Sequence, residues 1–292
     1  MRISVVIPTF GRPAALTHCL DGLARQTRPA DEVLIAVRDD DPATAALLLA
    51  EGPGRVAPIV VPVGQANASE ARNLCLQRAT GTIIAMTDDD AVPRPEWLAT
   101  IEARFRSDPD LGGLGGPDWQ AGREAPPTRR PSRVGVVQWF GRKIGNHHLG
   151  STRPLDVDWL KGANMSFRRV ALPGSPFGRG LRGCGAQYAE DFAVSVAVGG
   201  LGWRLRYDPD VAVDHFPARI HDGLDHRDLL DDRSLADAAH NDTVATLACL
   251  PPLRRIVFLI WAGLIGTRQL PGFALAAGLA VVRTSRQPLR RA

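Results

Sequence analysis

The first part of the chain alternates short runs of β-branched and other apolar residues with stretches that have the periodicity of amphipathic helices. The apolar runs predict four strands, at Ile3–Ile7, Glu32–Val37, Val56–Val63 and Thr82–Met86. The stretches between them predict three helices, at Ala14–Gln26, Ala43–Ala50 and Asn67–Ala79. This order requires crossover connections, so we predict an α/β fold with a mostly parallel central sheet flanked by helices. Because Pro58 and Pro62 each lack a backbone N–H, the third strand is expected at an edge.

Polar segments follow three of these strands at the point where each strand ends. The turn Pro8–Arg12 follows the first strand, Asp39–Asp41 follows the second and Asp88–Asp90 follows the fourth. Ligands of such sheets bind at the carboxyl ends of the strands, where we expect the three segments to meet.

The run of three aspartates at Asp88–Asp90 predicts a cation. Adjacent carboxylates repel one another and are kept together by a compensating positive charge or by good solvation. Oxygen ligands of this kind suit Mg²⁺ or Mn²⁺. The alternative is a helix N-terminus, where acidic residues are favoured and where Pro93 or Pro95 fits the first turn.

The overall composition excludes several classes of protein. The 35 basic and 31 acidic side chains give a net charge of +4, which is too small for a dedicated nucleic-acid binder, so we expect no nucleic-acid partner. The four cysteines form no CxxC pair, which argues against a zinc cluster and against a disulfide framework. A reducing, cytoplasmic compartment fits this cysteine usage.

The region from Gly112 to Asp158 is rich in Gly, Pro and Arg, and it predicts long loops with a short strand or two. Trp139 in this region either stacks on a ligand or anchors the loop to the core. A helix is predicted from Glu190 to Gly199 or Gly200, followed by strands at Trp203–Tyr207 and Val211–Asp214.

The C-terminal part contains two apolar runs, Ile256–Gly266 and Leu270–Val282, each shorter than the ~20 residues that a membrane-spanning helix needs. Arginines flank the pair on both sides, at positions 254, 255, 283, 286, 290 and 291. This arrangement favours an element lying on an anionic membrane surface. The alternative is a helical hairpin packed on the protein, with a solvated basic tail.

A set of motifs in consistent order resembles the family 2 glycosyltransferases, whose catalytic domain has the GT-A fold. The matching segments are Val5–Arg12, Asp31–Ile35, Ala71–Asn73, Gly81–Asp90, Trp97–Leu98, Gly162–Arg169, Glu190–Asp191 and Tyr207–His215. They extend over roughly residues 1–220, and their shared order makes the resemblance specific. It implies a GT-A catalytic domain at 1–222, with a nucleotide-binding half at about 1–110 and an acceptor half at about 111–222. A helical extension, associated with a membrane or packed, would then occupy 223–292.

The resemblance also implies roles for individual residues. Asp88 and Asp90 match the two acids of the DxD motif, which contact the donor's ribose and a divalent cation, and His215 resembles a histidine that closes the pocket or adds a metal ligand. Arg72 looks like the arginine that braces the nucleotide pocket, unless it forms a salt bridge on a helix surface. The remaining donor-binding candidates are Pro8, Thr9, Phe10, Arg12 and Asp89.

The pair Glu190–Asp191 resembles the family's catalytic pair at the start of a helix, with Asp191 as the base that accepts a proton from the acceptor hydroxyl. The alternative is a plain pair of acids at a helix N-terminus. By the same resemblance, Gly162, Ala163, Asn164 and Met165 line the donor-sugar or acceptor side, together with Trp139.

The sequence departs from the family pattern after the second strand. Family members commonly place an Asp there that reads the base, whereas Val37 or Arg38 occupies this position here. Asp39, with Asp40 close behind, is our candidate for that role, and the identity of the base stays open.

The resemblance predicts a metal-dependent, inverting transfer of a sugar from a nucleoside-diphosphate donor to a hydroxyl acceptor. The acceptor is expected to be a saccharide or lipid-linked saccharide in bacterial cell-surface or exopolysaccharide synthesis, at the inner face of the cell membrane. Two alternatives stay open: a nucleotidyltransferase, and a non-catalytic carbohydrate- or nucleotide-binding protein on the same fold.

Overall fold

A computed structural model describes residues 1–50, 57–64, 67–120, 130–185, 187–216 and 232–278. The strands that build the sheets are β1 (Ile3–Thr9), β2 (Glu32–Arg38), β3 (Pro58–Val63), β4 (Ile83–Thr87), β5 (Ala91–Pro93), β6 (Leu111–Gly115), β7 (Asp118–Gln120), β8 (Val136–Val137), β9 (Lys143–Ile144), β10 (Leu155–Asp156), β11 (Asn164–Arg168), β12 (Arg204–Tyr207) and β13 (Val213–His215). The α-helices are α1 (Pro13–Ala24), α2 (Pro42–Ala50), α3 (Ala68–Arg78), α4 (Trp97–Ser107), α5 (Glu190–Gly200), α6 (Asp232–Cys249) and α7 (Pro252–Leu264).

The central sheet has eight strands in the order β10-β12-β6-β11-β4-β1-β2-β3. Strands β1 to β4 run parallel, and β3 lies at the edge, as its prolines predict. Strand β11 enters antiparallel between β4 and β6, so that its first residue, Asn164, lies beside Thr87 at the end of β4. The segment preceding β11 therefore reaches the same edge of the sheet as the acids that follow β4.

Alternate residues of the strands face two apolar layers, which explains why these runs form a buried sheet. In β1, Val5 and Ile7 pack with α1 and α4 on one face, and Val6 packs with α3 and α5 on the other. The α/β architecture predicted from the sequence is confirmed. Strand β1 continues through Pro8 to Thr9, where a turn was expected, because β4 pairs with β1 only as far as Val6 and the last residues of β1 have one neighbour.

Strand β6 lies inside a central position of the sheet, although its sequence, Leu-Gly-Gly-Leu-Gly, does not predict a strand. A Cβ atom at Gly112 would collide with Trp203, and one at Gly113 would collide with Leu205. Glycine is required here because the neighbouring side chains cross directly over the strand. Local propensity is overridden by this packing.

The C-terminal helices pack on the rest of the protein. Asn241 of α6 exchanges hydrogen bonds with the backbone of Arg182, and Asp242 pairs with Lys143. The helical character expected for this part is therefore confirmed over the residues described. No described helix combines the length and the apolar character needed to cross a bilayer. The expected boundary at 222/223 and the arginines from position 283 onward lie outside the described residues.

Glu32 supports the amino-terminal end of the sheet, opposite the edge that carries the acids. Its buried carboxylate accepts hydrogen bonds from the Ser4 hydroxyl, from the backbone N–H and hydroxyl of Thr80 (2.5 and 3.0 Å), and from the N–H of Gly81. Burial by itself raises the pKa of Glu32, but these hydrogen bonds lower it below its ordinary value. The ionised carboxylate therefore stabilises the fold above the ordinary pKa of a glutamate, and this stabilisation is lost as the pH falls through the lowered pKa.

We expect Glu32→Gln to lower the free energy of unfolding at pH 7 by about 2 kcal/mol, because an amide satisfies these donors less well than a carboxylate. Urea denaturation at pH 7 and pH 4 measures the effect, and the difference between variant and wild type should shrink at the lower pH. Equal destabilisation at both pH values would contradict a role for the ionised form.

Candidate active site

The three acids after β4 occupy different environments. Asp89 is 0% exposed, accepts a hydrogen bond from the Thr9 hydroxyl (2.7 Å) and forms an ion pair with Arg12 (2.7 Å). Burial raises the pKa of Asp89 to about 7, although Arg12 and Thr9 act in the opposite direction. Asp89 thus connects the carboxyl ends of β1 and β4 in the protein interior. Its buried position leaves Asp88 and Asp90 at the edge of the sheet.

Asp88 and Asp90 meet His215 at this edge. Each of the three residues offers a ligand atom within 4.8 Å of the other two. His215 arrives on β13, which pairs antiparallel with β5, and its Nε2 atom lies 3.2 Å from Asp90 Oδ1. The two carboxylates offer the oxygen ligands that suit Mn²⁺ or Mg²⁺, and the short distances among the three ligand atoms fit a single ion. The metal ligands predicted from the sequence are thus brought together.

A buried acid behind His215 was missed by the sequence reasoning. Asp118 Oδ2 lies 3.4 Å from His215 Nδ1, and it also forms an ion pair with Lys161. Burial raises the pKa of Asp118, but His215 and Lys161 outweigh it and hold that pKa well below its usual range. The signal in the sequence is faint: Lys161 is one of two lysines in the chain and directly precedes the Gly162–Asn164 motif.

The pKa of the His215 imidazole depends on both Asp118 and Asp90. Burial lowers the pKa of His215, but the hydrogen bonds to Asp118 and Asp90 raise it to about 9. A carboxylate on Nδ1 fixes the ring orientation and directs Nε2 toward Asp90. Because a metal-bound imidazole must be neutral, a proton competes with a cation for this nitrogen.

Arg12 and Arg72 hold the acids from two sides. Arg12 contacts Asp90 (3.0 Å) as well as Asp89. Arg72 is buried, contacts Asp88 at 3.1 Å and forms an ion pair with Glu190. Its guanidinium therefore connects the end of β4 with the start of α5, which differs from the surface salt bridge considered as the alternative.

Glu190 and Asp191 begin α5 but face different surroundings. Glu190 is buried, and its carboxylate is engaged by Arg72 and by the Ser69 hydroxyl (2.6 Å). Asp191 is half-buried; its Oδ1 accepts from the Phe192 N–H (2.7 Å) and its Oδ2 from the Gly162 N–H (3.1 Å). Glu190 is thus tied into the protein interior, whereas Asp191 lies at the surface of the edge with its orientation fixed by two backbone donors.

The segment Gly162–Met165 divides between surface and core. Gly162 is half-buried beside Asp191, whereas Ala163, Asn164 and Met165 are buried. Asn164 is 1% exposed; its amide accepts from Trp97 Nε1 (2.9 Å) and donates to the Val211 carbonyl (2.7 Å). These contacts fix the start of β11 and thereby the position of Gly162.

The other predicted donor and acceptor residues lie farther along the edge. Asp39 and Asp40 are exposed; Asp40 pairs with Arg38, whose guanidinium lies 3.5 Å from the centre of the Phe10 ring. Trp139 is 61% exposed and stands edge-on to Phe140, which contacts Trp261 of α7. The structure thus places Phe10 at the exit of β1 and Trp139 beside the C-terminal helices.

Comparison with known proteins places this site in a family. Residues 4–170 match the family described as Glycosyl transferase family 2. The chain belongs to this family, and the resemblance inferred from its motifs is confirmed. It is 26% identical over 226 residues to a glucosyl-dolichyl phosphate glucuronosyltransferase of Haloferax volcanii, covering 74% of this chain and 69% of that protein. It is 29% identical to the succinoglycan biosynthesis protein ExoM of Rhizobium meliloti, covering 73% of this chain and 66% of that protein.

Solved structures share the fold. The chain is similar to S. aureus TarS 1–349 in complex with UDP, with a TM-score of 0.60, 16% identity, and coverage of 96% of this chain and 75% of that one. It is also similar to the mannosyltransferase PcManGT of Pyrobaculum calidifontis in complex with GDP-Man and Mn²⁺, with a TM-score of 0.56, 19% identity, and coverage of 98% and 80%. The fold is therefore GT-A, and membership of the family, shown by the match over residues 4–170, makes the protein a glycosyltransferase.

Proposed function

We propose that this glycosyltransferase uses a divalent cation to transfer a sugar, with inversion at the anomeric carbon, from a nucleoside-diphosphate donor to a hydroxyl of a saccharide or lipid-linked saccharide. The observation that carries the proposal is the common edge of the sheet at which Asp88, Asp90 and His215 converge, with Asp191 held close by through Gly162. Arg72 spans the two groups by contacting both Asp88 and Glu190.

The residues at the edge divide the work of the reaction. Asp191 accepts the proton of the acceptor hydroxyl while that oxygen forms a bond to the anomeric carbon and the bond from this carbon to the diphosphate breaks. Its two backbone hydrogen bonds hold the carboxylate in one orientation, which is the requirement for a positioned base. Because Glu190 is engaged by Arg72 and Ser69, a single carboxylate serves the reaction, which fits direct displacement and hence inversion.

Asp88, Asp90 and His215 are the residues that would hold Mn²⁺ or Mg²⁺. Such an ion supplies positive charge that offsets the negative charge on the departing diphosphate. Phe10 and Arg12 at the exit of β1, together with Asp39 and Asp40, would contact the nucleotide.

The relatives support a class of acceptor and a setting. One is described as acting with a glucosyl-dolichyl phosphate, and another belongs to succinoglycan biosynthesis. We infer that this chain extends a cell-surface or secreted polysaccharide in a bacterium, on a lipid-linked or free saccharide, and that it works in the cytoplasm at the inner face of the membrane.

A panel of nucleotide sugars, screened by thermal shift with Mn²⁺ and again with EDTA, tests the proposal. A true donor stabilises the folded state by mass action, and the stabilisation should disappear with EDTA. Release of nucleoside diphosphate on addition of a saccharide acceptor then measures transfer. A protein that binds a nucleotide sugar without ever releasing the diphosphate would be a non-catalytic binder, and one that binds none would refute the assignment of the site.

Asp118→Asn is expected to weaken Mn²⁺ binding about 10- to 100-fold, because the carboxylate on Nδ1 no longer orients His215. Manganese titration followed by electron paramagnetic resonance measures this affinity. In the wild type the affinity should rise with pH up to about 9, since His215 must lose its proton. In the variant this rise should move to lower pH, because an acid that stabilises the imidazolium has been removed.

Asp156→Asn is the matched control for this effect, since Asp156 is an exposed acid that pairs with Arg206 away from the site. It should leave both the manganese affinity and its pH profile unchanged. An Asp118→Asn variant with weaker binding but an unaltered pH profile would indicate a general loss of structure instead of an effect on His215.

A further inference from the structure

The outward face of α7 is apolar along its whole length. Leu253, Ile256, Ile260 and Leu264 are 81%, 58%, 57% and 53% exposed, and Leu259 beside them is about half exposed. At 100° per residue these side chains fall within an arc of roughly 140° that contains no charged residue. A continuous apolar face of this kind on the surface of a folded protein marks an interaction site.

The opposite face of α7 fixes the helix to the protein. Phe258 is 2% exposed and lies so close over Gly141 that a Cβ atom there would collide with its ring. Trp261 contacts Phe140 edge-on, with ring centres 5.3 Å apart. The exposed face is therefore held in a defined position by a packed inner face.

The part of the sequence that contains α7 carries only positive charges. From residue 243 to the end, the sequence contains seven arginines, no lysine and no acidic residue. Since the whole chain has a net charge of +4, the first 242 residues carry −3. Arg254 and Arg255 lie in the first turn of α7, and Arg268 follows the helix. The positive charge of the protein is thus concentrated in the part that exposes the apolar face.

We propose that the face formed by Leu253, Ile256, Leu259, Ile260 and Leu264 docks on a lipid bilayer that contains anionic phospholipid. A helix of 13 residues is about 20 Å long, too short to cross a hydrocarbon core of about 30 Å, and it lies in the plane of the surface. Its apolar side chains enter the boundary between headgroups and acyl chains, and Arg254 and Arg255 in its first turn and Arg268 beyond its last turn attract the negative headgroups from the two ends of the helix.

Charge argues for a bilayer over a second copy of the chain. Two copies joined through this face would bring Arg254, Arg255 and Arg268 of each copy toward the same like charges of the other, with no acid in α7 to offset them. An anionic surface instead attracts each of these charges. Trp139 lies next to α7 through Phe140 and is 61% exposed, which suits a tryptophan at the level of the headgroups.

Vesicle sedimentation of the full chain tests the proposal. The wild type should bind vesicles of phosphatidylcholine with 30% phosphatidylglycerol and bind pure phosphatidylcholine much more weakly. The triple variant Ile256→Gln, Ile260→Gln, Leu264→Gln should lower the partition coefficient on the anionic vesicles at least ~10-fold, because three apolar side chains no longer enter the boundary region. Raising the salt concentration should weaken wild-type binding as the charges are screened.

A matched control replaces three apolar residues of similar exposure elsewhere, in the variant Leu49→Gln, Val170→Gln, Leu201→Gln. This variant should bind vesicles like the wild type. Both triple variants should keep the Mn²⁺-dependent binding of nucleotide, so loss of vesicle binding is separable from failure of the proposed transfer reaction. Equal vesicle binding by the α7 variant and the wild type would overturn the proposal.

A reporter on the helix identifies the occupant. Ile260→Cys, labelled with an environment-sensitive fluorophore in a chain with Cys184→Ser and Cys249→Ser, should report water in solution and an apolar medium only after anionic vesicles are added. An apolar signal without vesicles would overturn the proposal, and light scattering would then show the cause. A dimer would identify a second copy as the partner, and a monomer would show that another part of the same chain covers the face.

Discussion

The variant Asp191→Asn is expected to transfer sugar at least ~100-fold more slowly than the wild type while it binds the donor with unchanged affinity. An asparagine keeps the size of the side chain, and its carbonyl oxygen still accepts one of the two backbone hydrogen bonds from Gly162 and Phe192. What it loses is the ability to accept a proton from the acceptor hydroxyl. Steady-state release of nucleoside diphosphate gives the turnover, and calorimetric titration of donor with Mn²⁺ gives the affinity.

Asp232→Asn is the control for this experiment, because Asp232 is an exposed acid in the first turn of α6, as Asp191 is an acid in the first turn of α5. It should leave turnover unchanged, which separates a chemical role from a general contribution of acids at helix N-termini. Transfer by Asp191→Asn at close to the wild-type rate would assign the base to another residue.

The neighbouring Glu190 differs from Asp191 because its carboxylate is buried and paired with Arg72. Burial raises the pKa of Glu190, and Arg72 and Ser69 act in the opposite direction. Its carboxylate thus belongs to an ion pair that joins α5 to α3 and, through Arg72, to Asp88. The two adjacent acids thus differ in burial: Glu190 is held in the interior by Arg72, and Asp191, the base in the proposed reaction, is half-buried at the edge of the sheet.

The sheet was predictable from the sequence where its strands alternate with amphipathic helices. Strands β1 to β4 and helices α1 to α3 follow from apolar periodicity, because β1, β2 and β4 are buried on both faces, and the edge strand β3 and the helices are buried on one. Strand β6 did not follow, since Gly112 and Gly113 are required by Trp203 and Leu205, which lie about 90 residues away in the sequence. A periodic pattern depends on residues that are close in the sequence, whereas this strand depends on residues that are close only in the folded structure.

The site was predictable to the extent that its residues stand in motifs. Asp88, Asp90 and His215 were named as metal ligands, and the structure brings their ligand atoms together. Asp118 carries no local pattern, because its importance arises from β7 pairing with β13 beside His215. In the same way, the sequence does not indicate that the side-chain amide of Asn164 forms hydrogen bonds with Trp97 and with the Val211 carbonyl within the core.

The largest loss of donor affinity is expected for Asp90→Asn. Asp90 contributes a ligand atom to the cluster with Asp88 and His215, and it is placed there by Arg12. An amide in its place cannot supply the negative charge that a divalent cation requires. Because loss of an outer hydrogen-bond partner already costs about 10- to 100-fold in metal affinity, loss of a ligand should cost more than ~100-fold. Titration of UDP and GDP, each with Mn²⁺ and with EDTA, measures the effect on whichever nucleotide the wild type prefers.

Asp214→Asn provides the matched control, since Asp214 lies on β13 directly before His215 but faces solvent and pairs with Arg94. It should retain Mn²⁺-dependent binding in full. In Asp90→Asn the affinity with Mn²⁺ should fall to the value that EDTA gives in the wild type, because the cation no longer links the nucleotide to the protein. If the addition of Mn²⁺ still tightened nucleotide binding in Asp90→Asn as much as in the wild type, the cation would be bound by other residues, and the acids after β4 would serve the fold alone.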